Sequence, residues 1–564
     1  MSRPFARAVF VLAAAFFAAF FVWPVLIILR NGFLDPDGRL TLAFLRALMS
    51  NPVYLDGLRN SLLLGAAATA IAGVIGVPLA VAADRFSFPG RAAFGALVLV
   101  PMILPPFVGA IGIRQIFGQY GAANALIVGL GLQPRGWTFD WFAANRFWGV
   151  ALMDALSLYP VIYLNAIAAL ANVDPAMEEA AENLGATGLR RFRRITLPLI
   201  RPGLFAGGTL VFIAAFTDLG TPLIFDYDRV TSVQIYYGLK DIGGSPFPYA
   251  LVAAMLACSV LAYAAGRGLF GRPPHAMMAK AGGAAGPRVP APWKGWLCTA
   301  LFAGVTFAAI LPHLGVILIS FSRDWYATVL PRAWTLGNYR AALGSDLTVP
   351  SIANSLKFAG AATVLDLLLG TAIAYVVVRS RVAGRQLLDH LSMLPLAVPG
   401  LVLAFGYLAM AQDGRLFSFL NPVRNPTVLL IVAYSVRRMP YVVRSAAAGF
   451  GQTSETLEEA AQSLGCPPLR SVLRITMPLI AANLIAGAIL AFSFAMLEVS
   501  DSLVLAQKQA FYPITKAIME LFQLLGDGKF VASALGVWAM VFLGTVIAGL
   551  TLLLGRRLGT LFRV

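Results

Sequence analysis

Apolar runs of about twenty residues recur along the whole of this 564-residue chain, each long enough to cross a hydrocarbon core of roughly 30 Å as a helix. A bilayer offers no solvent to backbone amides, so only helices or closed barrels can span it, and unbroken apolar runs select helices. The charge content fits the same medium: 12% charged residues and a mean hydropathy of +0.78, against roughly 25% charged residues in soluble domains. The formal charge of +17 does not read as a nucleic-acid footprint, because its Lys and Arg lie in short loops between apolar runs instead of on one basic face. Cys258, Cys298 and Cys466 are odd in number and lack metal-ligand spacing, so they read as small packing residues without a disulfide framework.

The expected fold is an all-α integral membrane protein of about 12 transmembrane helices. In the first half the spans are 8–29, 61–83, 92–117, 148–170, 203–219 and 249–269; in the second they are 296–321, 355–378, 391–411, 427–450, 481–505 and 531–554. The first run follows Arg3 and Arg7 but is long and has no small-residue cleavage site, so it reads as a retained span. Between the halves, 272–295 is rich in Pro, Gly and Ala and reads as a flexible tether joining residues 1–271 to residues 296–564.

The halves are copies. Asn60-Ser61-Leu62 recurs as Asn354-Ser355-Leu356, and Pro101 and Pro105 recur as Pro395 and Pro399, all offset by 294 positions. Further on, Glu179, Ala180, Ala181, Gly185, Ile195 and Pro198 recur as Glu459, Ala460, Ala461, Gly465, Ile475 and Pro478, offset by 280. Loop 118–147 is long and its counterpart 412–426 is short, which supplies the difference. Six spans in the same order in each copy predict two parallel, pseudo-symmetric six-helix halves, related by an axis along the membrane normal.

The second set of repeats falls near 174–200 and 453–480, between the fourth and fifth spans of each half. Asp174 can cap a helix opened by Pro175, with Glu178 and Glu179 near the positive end of its dipole. Gly185 and Gly465 permit a sharp turn after that helix. This predicts a helix-turn-helix outside the membrane. On these residues the chain resembles the type I membrane subunits of binding-protein-dependent ABC importers, whose signature is this EAA loop. The resemblance implies a cytoplasmic loop docked on an ATPase, so that Glu179, Ala180, Ala181, Gly185, Glu459, Ala460, Ala461 and Gly465 would meet two ABC ATPase subunits. It further implies a periplasmic or lipid-anchored substrate-binding protein docking on 118–147 and 321–354, surrounding membrane lipids, and a bacterial inner-membrane location with both termini cytoplasmic. With the loops inside, about 21 Lys and Arg lie on the cytoplasmic side against about 16 outside, the direction of the positive-inside rule. Gly528-Lys529 is followed by Phe530 and lacks the upstream glycine of a phosphate loop. The chain is therefore expected to be a transport subunit with no catalytic site or cofactor of its own, ATP and Mg being held by the partner ATPases.

Ionisable residues inside spans are costly and mark pathways or internal pairs. Asp218 and Glu498 are equivalent by repeat, with Asp501 three positions on and expected on the same face; Asp154, Tyr434, Arg437 and Arg438 complete the translocation-path candidates. No metal-ligand cluster is expected from His275, His313 and His390. The segments Arg437-Arg438-Met439-Pro440-Tyr441, Leu394–Gly400 and Phe216–Pro222 resemble fused ferric iron permeases, a branch that also includes phosphonate, sugar phosphate and thiamine transporters. An ion-coupled secondary carrier is the rival class, but carriers with duplicated six-span halves lack paired EAA loops.

Overall fold

A computed structural model describes residues 3–34, 38–142, 145–241, 245–270, 292–524 and 526–558. His275 and nearly all of the expected tether lie outside the described residues. The architecture is all-α; among the described residues the only strands are Ser322–Asp324 and Ala333–Trp334, which pair antiparallel.

Eight helices are long and apolar enough to cross a membrane, and three bent helix pairs raise the number to 11. The helix Thr427–Gln452, 26 residues long, is the remaining span expected from the sequence, and it carries Arg437, Arg438 and Arg444. The third and ninth spans, expected as single apolar runs carrying paired prolines, are bent helix pairs. They break by 96° between 103 and 106 and by 101° between 396 and 400. The cause is the paired prolines: a residue preceding Pro is pushed from helical to extended backbone, and Leu104, before Pro105, has φ −115° and ψ 134°.

Two further differences concern the fifth and eleventh spans. The second helix of the turn motif does not stop before the fifth span; Gly188–Phe216 is one continuous candidate span with a π-helical turn at Phe192–Thr196. In the second repeat Pro468–Leu479 is bent by 75° onto Ala481–Met496. Both spans then stop early and restart as the short helices Gly220–Ile224 and Ser500–Leu505, leaving Asp218 and Glu498 in the breaks.

The chain forms two compact units that cut across the repeat. One contains 51–234 and 257–336; the other contains 1–50, 235–256 and 337–564. In the first, Pro52–Arg85, Arg146–Ala171 and Gly188–Phe216 pack together through small residues, as helices in lipid do; a Cβ on Gly76 would lie 3.0 Å from the Tyr159 carbonyl oxygen. Helix Pro292–Ser320, the first span of the second repeat, belongs to this unit. It crosses Pro106–Phe117 so closely that a Cβ on Gly315 would lie 2.7 Å from the Gly112 carbonyl oxygen. In the other unit the chain's first helices pack against Gly400–Met410: a Cβ on Gly406 would meet Pro24 at 2.8 Å, and the Tyr407 hydroxyl donates to the Phe20 carbonyl at 2.7 Å.

The repeated Asn-Ser-Leu has the same task in each unit. Ser61 Oγ accepts the Thr231 amide at 2.9 Å and Ser355 Oγ accepts the Ile514 amide at 2.7 Å, each satisfying an orphan donor at the start of a helix. Asn60 and Asn354 donate to the Arg229 and Ala510 carbonyls at 3.0 and 2.9 Å.

Candidate functional site

The first helix and the turn of each motif form as the sequence predicts. Asp174 caps Pro175–Asn183 by accepting the Ala176 amide at 3.0 Å. Gly185 and Gly465 take φ of +80° and +85°, the left-handed conformation that turns the chain after each helix. At these turns Leu184 is 88% exposed and Leu464 is 90% exposed. Glu179, Ala180, Glu459 and Ala460 face outward as well; Ala181 is buried, Ala461 half-buried, and both glycines are exposed. Each motif is thus a small projecting surface with an apolar tip.

What holds this surface is a residue that spacing alone did not single out, the glutamate just before each motif. Glu178 pairs with Arg85, the last residue of helix Pro52–Arg85, and accepts from Thr196 Oγ at 2.6 Å. In the second repeat Glu458 is buried and accepts from Tyr375 Oη and Thr476 Oγ, both at 2.8 Å. The repeat partner of Arg85 is Arg379, which pairs with Glu455 at 3.1 Å and donates to the Phe450 carbonyl at 2.8 Å. Both motifs are therefore tied by charge-assisted hydrogen bonds to the base of the second span of their own repeat. The signal was present as doubling: Glu178 and Glu458 recur at the 280 offset, Arg85 and Arg379 at 294. Arg191, in the basic stretch after the first motif, pairs with Glu182.

Inside the spans, Arg437 meets Glu498 at 2.6 Å and Asp501 at 3.5 Å, and Arg438 pairs with the other oxygen of Glu498. Glu498 and Asp501 do not share one helical face as expected; the break at Leu497–Val499 separates them, and Arg437 gathers them. Tyr434 Oη lies 2.7 Å from Ser502 Oγ in the same network. Asp366, missed from the sequence because a single acid in a long apolar run had no repeat partner, accepts from Ser435 Oγ at 2.5 Å.

The first repeat places different chemistry at these positions. Asp218 spans the break in its helix by accepting the Gly220 and Thr221 amides at 3.2 and 3.0 Å. Its neighbour Asp154 is 1% exposed, and among the described residues neither of its carboxyl oxygens has a hydrogen-bond partner. Asp154 stands where the second repeat has Tyr434, and Ser157 where it has Arg437, so the arginines of one repeat have no counterpart in the other. Among the described residues no three His, Cys, Asp or Glu side chains converge as a metal-ligand set.

The two long loops expected to dock a binding protein come together in one unit, as far as residue 336. Tyr120 and Tyr326 stack at 4.8 Å, the Ala327 amide donates to the Tyr120 carbonyl at 2.9 Å, and Gln115 donates to the Trp325 carbonyl at 2.7 Å. Tyr120, Phe139, Trp141, Tyr326 and Trp334 remain exposed there.

Comparison with known proteins bears on this geometry. Residues 72–272 and 366–559 each match the family model described as binding-protein-dependent transport system inner membrane component. The chain is 28% identical over 494 residues to the ferric transport system permease protein FbpB of Actinobacillus pleuropneumoniae, covering 85% of this chain and 69% of that protein. It is 23% identical over 463 residues to the Fe(3+)-transport system permease protein FbpB 2 of Haemophilus influenzae, covering 81% and 82%. A shorter match, 28% over 218 residues, is to the sulfate transport system permease protein CysT of Salmonella typhimurium and covers 38% of this chain and 75% of that protein. The chain belongs to the binding-protein-dependent transport system inner membrane component family and is an ABC importer permease that carries the family's unit twice.

Proposed function

We propose that this permease imports ferric iron, driven by two separate ATPase subunits that dock on Pro175–Asn183 and Thr456–Ser463. The observation that carries the docking assignment is the doubled arrangement of each motif: an exposed leucine at the tip, and a glutamate behind it fastened to a spanning helix. A push on either tip reaches helix Pro52–Arg85 through Arg85, or Thr348–Arg379 through Tyr375. ATP and Mg are held by the partners. In this orientation the motifs and both termini are cytoplasmic, and the aromatic surface around Tyr120 and Tyr326 receives a substrate-binding protein outside.

Ferric iron is favoured as cargo by relatives that carry that name along most of this chain. The side chains are compatible with a cationic cargo: Arg437 and Arg438 are already engaged with acids, whereas Asp154 and Asp218 have no cation against them among the described residues. In this reading Asp154, Asp218, Tyr434, Arg437, Arg438, Glu498 and Asp501 border the path. Uptake of radiolabelled ferric iron and of a labelled phosphonate, in cells with and without the chain, tests the cargo. Loss of iron uptake alone is expected; loss of phosphonate uptake with iron unchanged overturns it. For the docking assignment, Glu179→Ala with Glu459→Ala is expected to leave ATP hydrolysis by the assembled transporter unlinked from uptake. Full uptake in that double variant overturns it.

A further inference from the structure

Between helices Thr348–Arg379 and Ala481–Met496 lies a groove of about 1020 Å³, lined from Gly360 to Tyr375 along one helix and also by Pro467, Leu469 and Leu473 of the segment after the second motif. Its lining is apolar apart from Thr363, Thr371 and the Tyr375 ring. The fifteen residue steps from Gly360 to Tyr375 rise about 22 Å, enough to take a chain from one leaflet of a hydrocarbon core roughly 30 Å thick. The second repeat has smaller residues than the first at three positions along the groove. Val472, Ala481 and Ile485 stand where the first repeat has Phe192, Arg201 and Phe205, and Phe205 packs there on Tyr263 with ring centroids 5.9 Å apart.

Charge flanks the part of the lining that follows the second motif. Arg470 and Arg474 are interleaved with the lining residues Leu469 and Leu473, are exposed, and have no ion-pair partner among the described residues. Both lie beside the turn motif, hence at the inner leaflet if the motifs are cytoplasmic; that placement rests on the proposed function. Two unpaired guanidinium groups, each next in sequence to a leucine that lines an apolar slot between spanning helices, match a phosphate above an acyl chain, the arrangement by which basic pockets on the cytoplasmic side hold anionic lipids.

We propose that this groove is a binding site for an anionic phospholipid, with one acyl chain between the two helices and the phosphate on Arg470 and Arg474. The purified full-length chain is incubated in detergent with phosphatidylglycerol or with phosphatidylcholine of the same acyl composition, and retained lipid is counted by native mass spectrometry. Phosphatidylglycerol is expected to be retained at least fivefold more than phosphatidylcholine. Arg470→Gln with Arg474→Gln, a change confined to exposed side chains, should abolish the preference. Gly360→Trp should remove retention itself, since a Cβ at Gly360 meets nothing within 4 Å and the ring can enter the groove without displacing the backbone. Equal retention of the two lipids overturns the headgroup assignment, and undiminished phosphatidylglycerol on the Gly360→Trp variant overturns the location. Retention is read without any ATPase, so a failed docking assignment leaves this result standing.

Discussion

Replacing Arg437 with Met tests whether the intramembrane network is a closed set of charges. In the wild type two arginines face two acids, with Arg437 bonded to Glu498 at 2.6 Å and to Asp501 at 3.5 Å. Glu498 is 5% exposed and Asp501 is fully buried, so neither can recover solvation by turning to water. Removing one partner of a buried pair costs about 3–5 kcal/mol, and Arg437→Met should fall in that range because Asp501 loses the arginine paired with it while Glu498 keeps Arg438. Glu498→Gln should cost a similar amount by leaving Arg438 facing an amide. The double variant restores one positive against one negative charge, so its loss should be smaller than the sum of the singles by about 0.5–3 kcal/mol. The assay is denaturant unfolding of the purified chain in one detergent, comparing all four proteins at matched slope. Additive losses, or an Arg437→Met variant as stable as wild type, would refute the coupling drawn from these distances.

Gly465→Val places a β-branched residue at φ +85° and should destabilise that turn by about 1–2 kcal/mol; its check is faster proteolysis at the second motif than in wild type. Gly315→Val drives side-chain atoms into the Gly112 backbone, where even a Cβ lies 2.7 Å from the carbonyl oxygen, and is expected to abolish accumulation of folded protein in membranes. Tyr407→Phe removes the donor to the Phe20 carbonyl and should cost about 1 kcal/mol, read as a lowered unfolding midpoint. Glu178→Leu with Glu458→Leu frees both motifs from their spans and should reduce ATP-driven uptake at least tenfold with the chain still present in membranes; unchanged uptake would show that the ties carry no force.

The span count and the doubling were legible because both are written in local composition: apolar length for one, recurrent residues at fixed offsets for the other. The left-handed turns were legible for the same reason, since Gly185 and Gly465 are the residues that reach positive φ without strain. The breaks at Asp218 and Glu498 were not, because a helix stop inside an apolar run depends on which amides find another acceptor. Here the acceptor is the Asp218 carboxylate itself. Arg85 and Glu178 lie 93 positions apart in sequence, and no periodicity connects them. The near-right-angle bends were half legible: the repeated prolines mark where they fall, but the angle comes from the extended backbone forced on the residue before a proline, as at Leu104.

The placement of the first span of each repeat has a consequence for how the protein is made. The chain's first helix cannot find its seat against Gly400–Met410 until about 370 further residues have been synthesised, roughly 20–75 s at 5–20 residues per second. The helices of 51–234 likewise wait for Pro292–Ser320 before Gly112 is covered. Neither copy is a complete folding unit when it leaves the ribosome. A chain cut in the segment joining them should yield two fragments that are each degraded when expressed alone and rescued when expressed together.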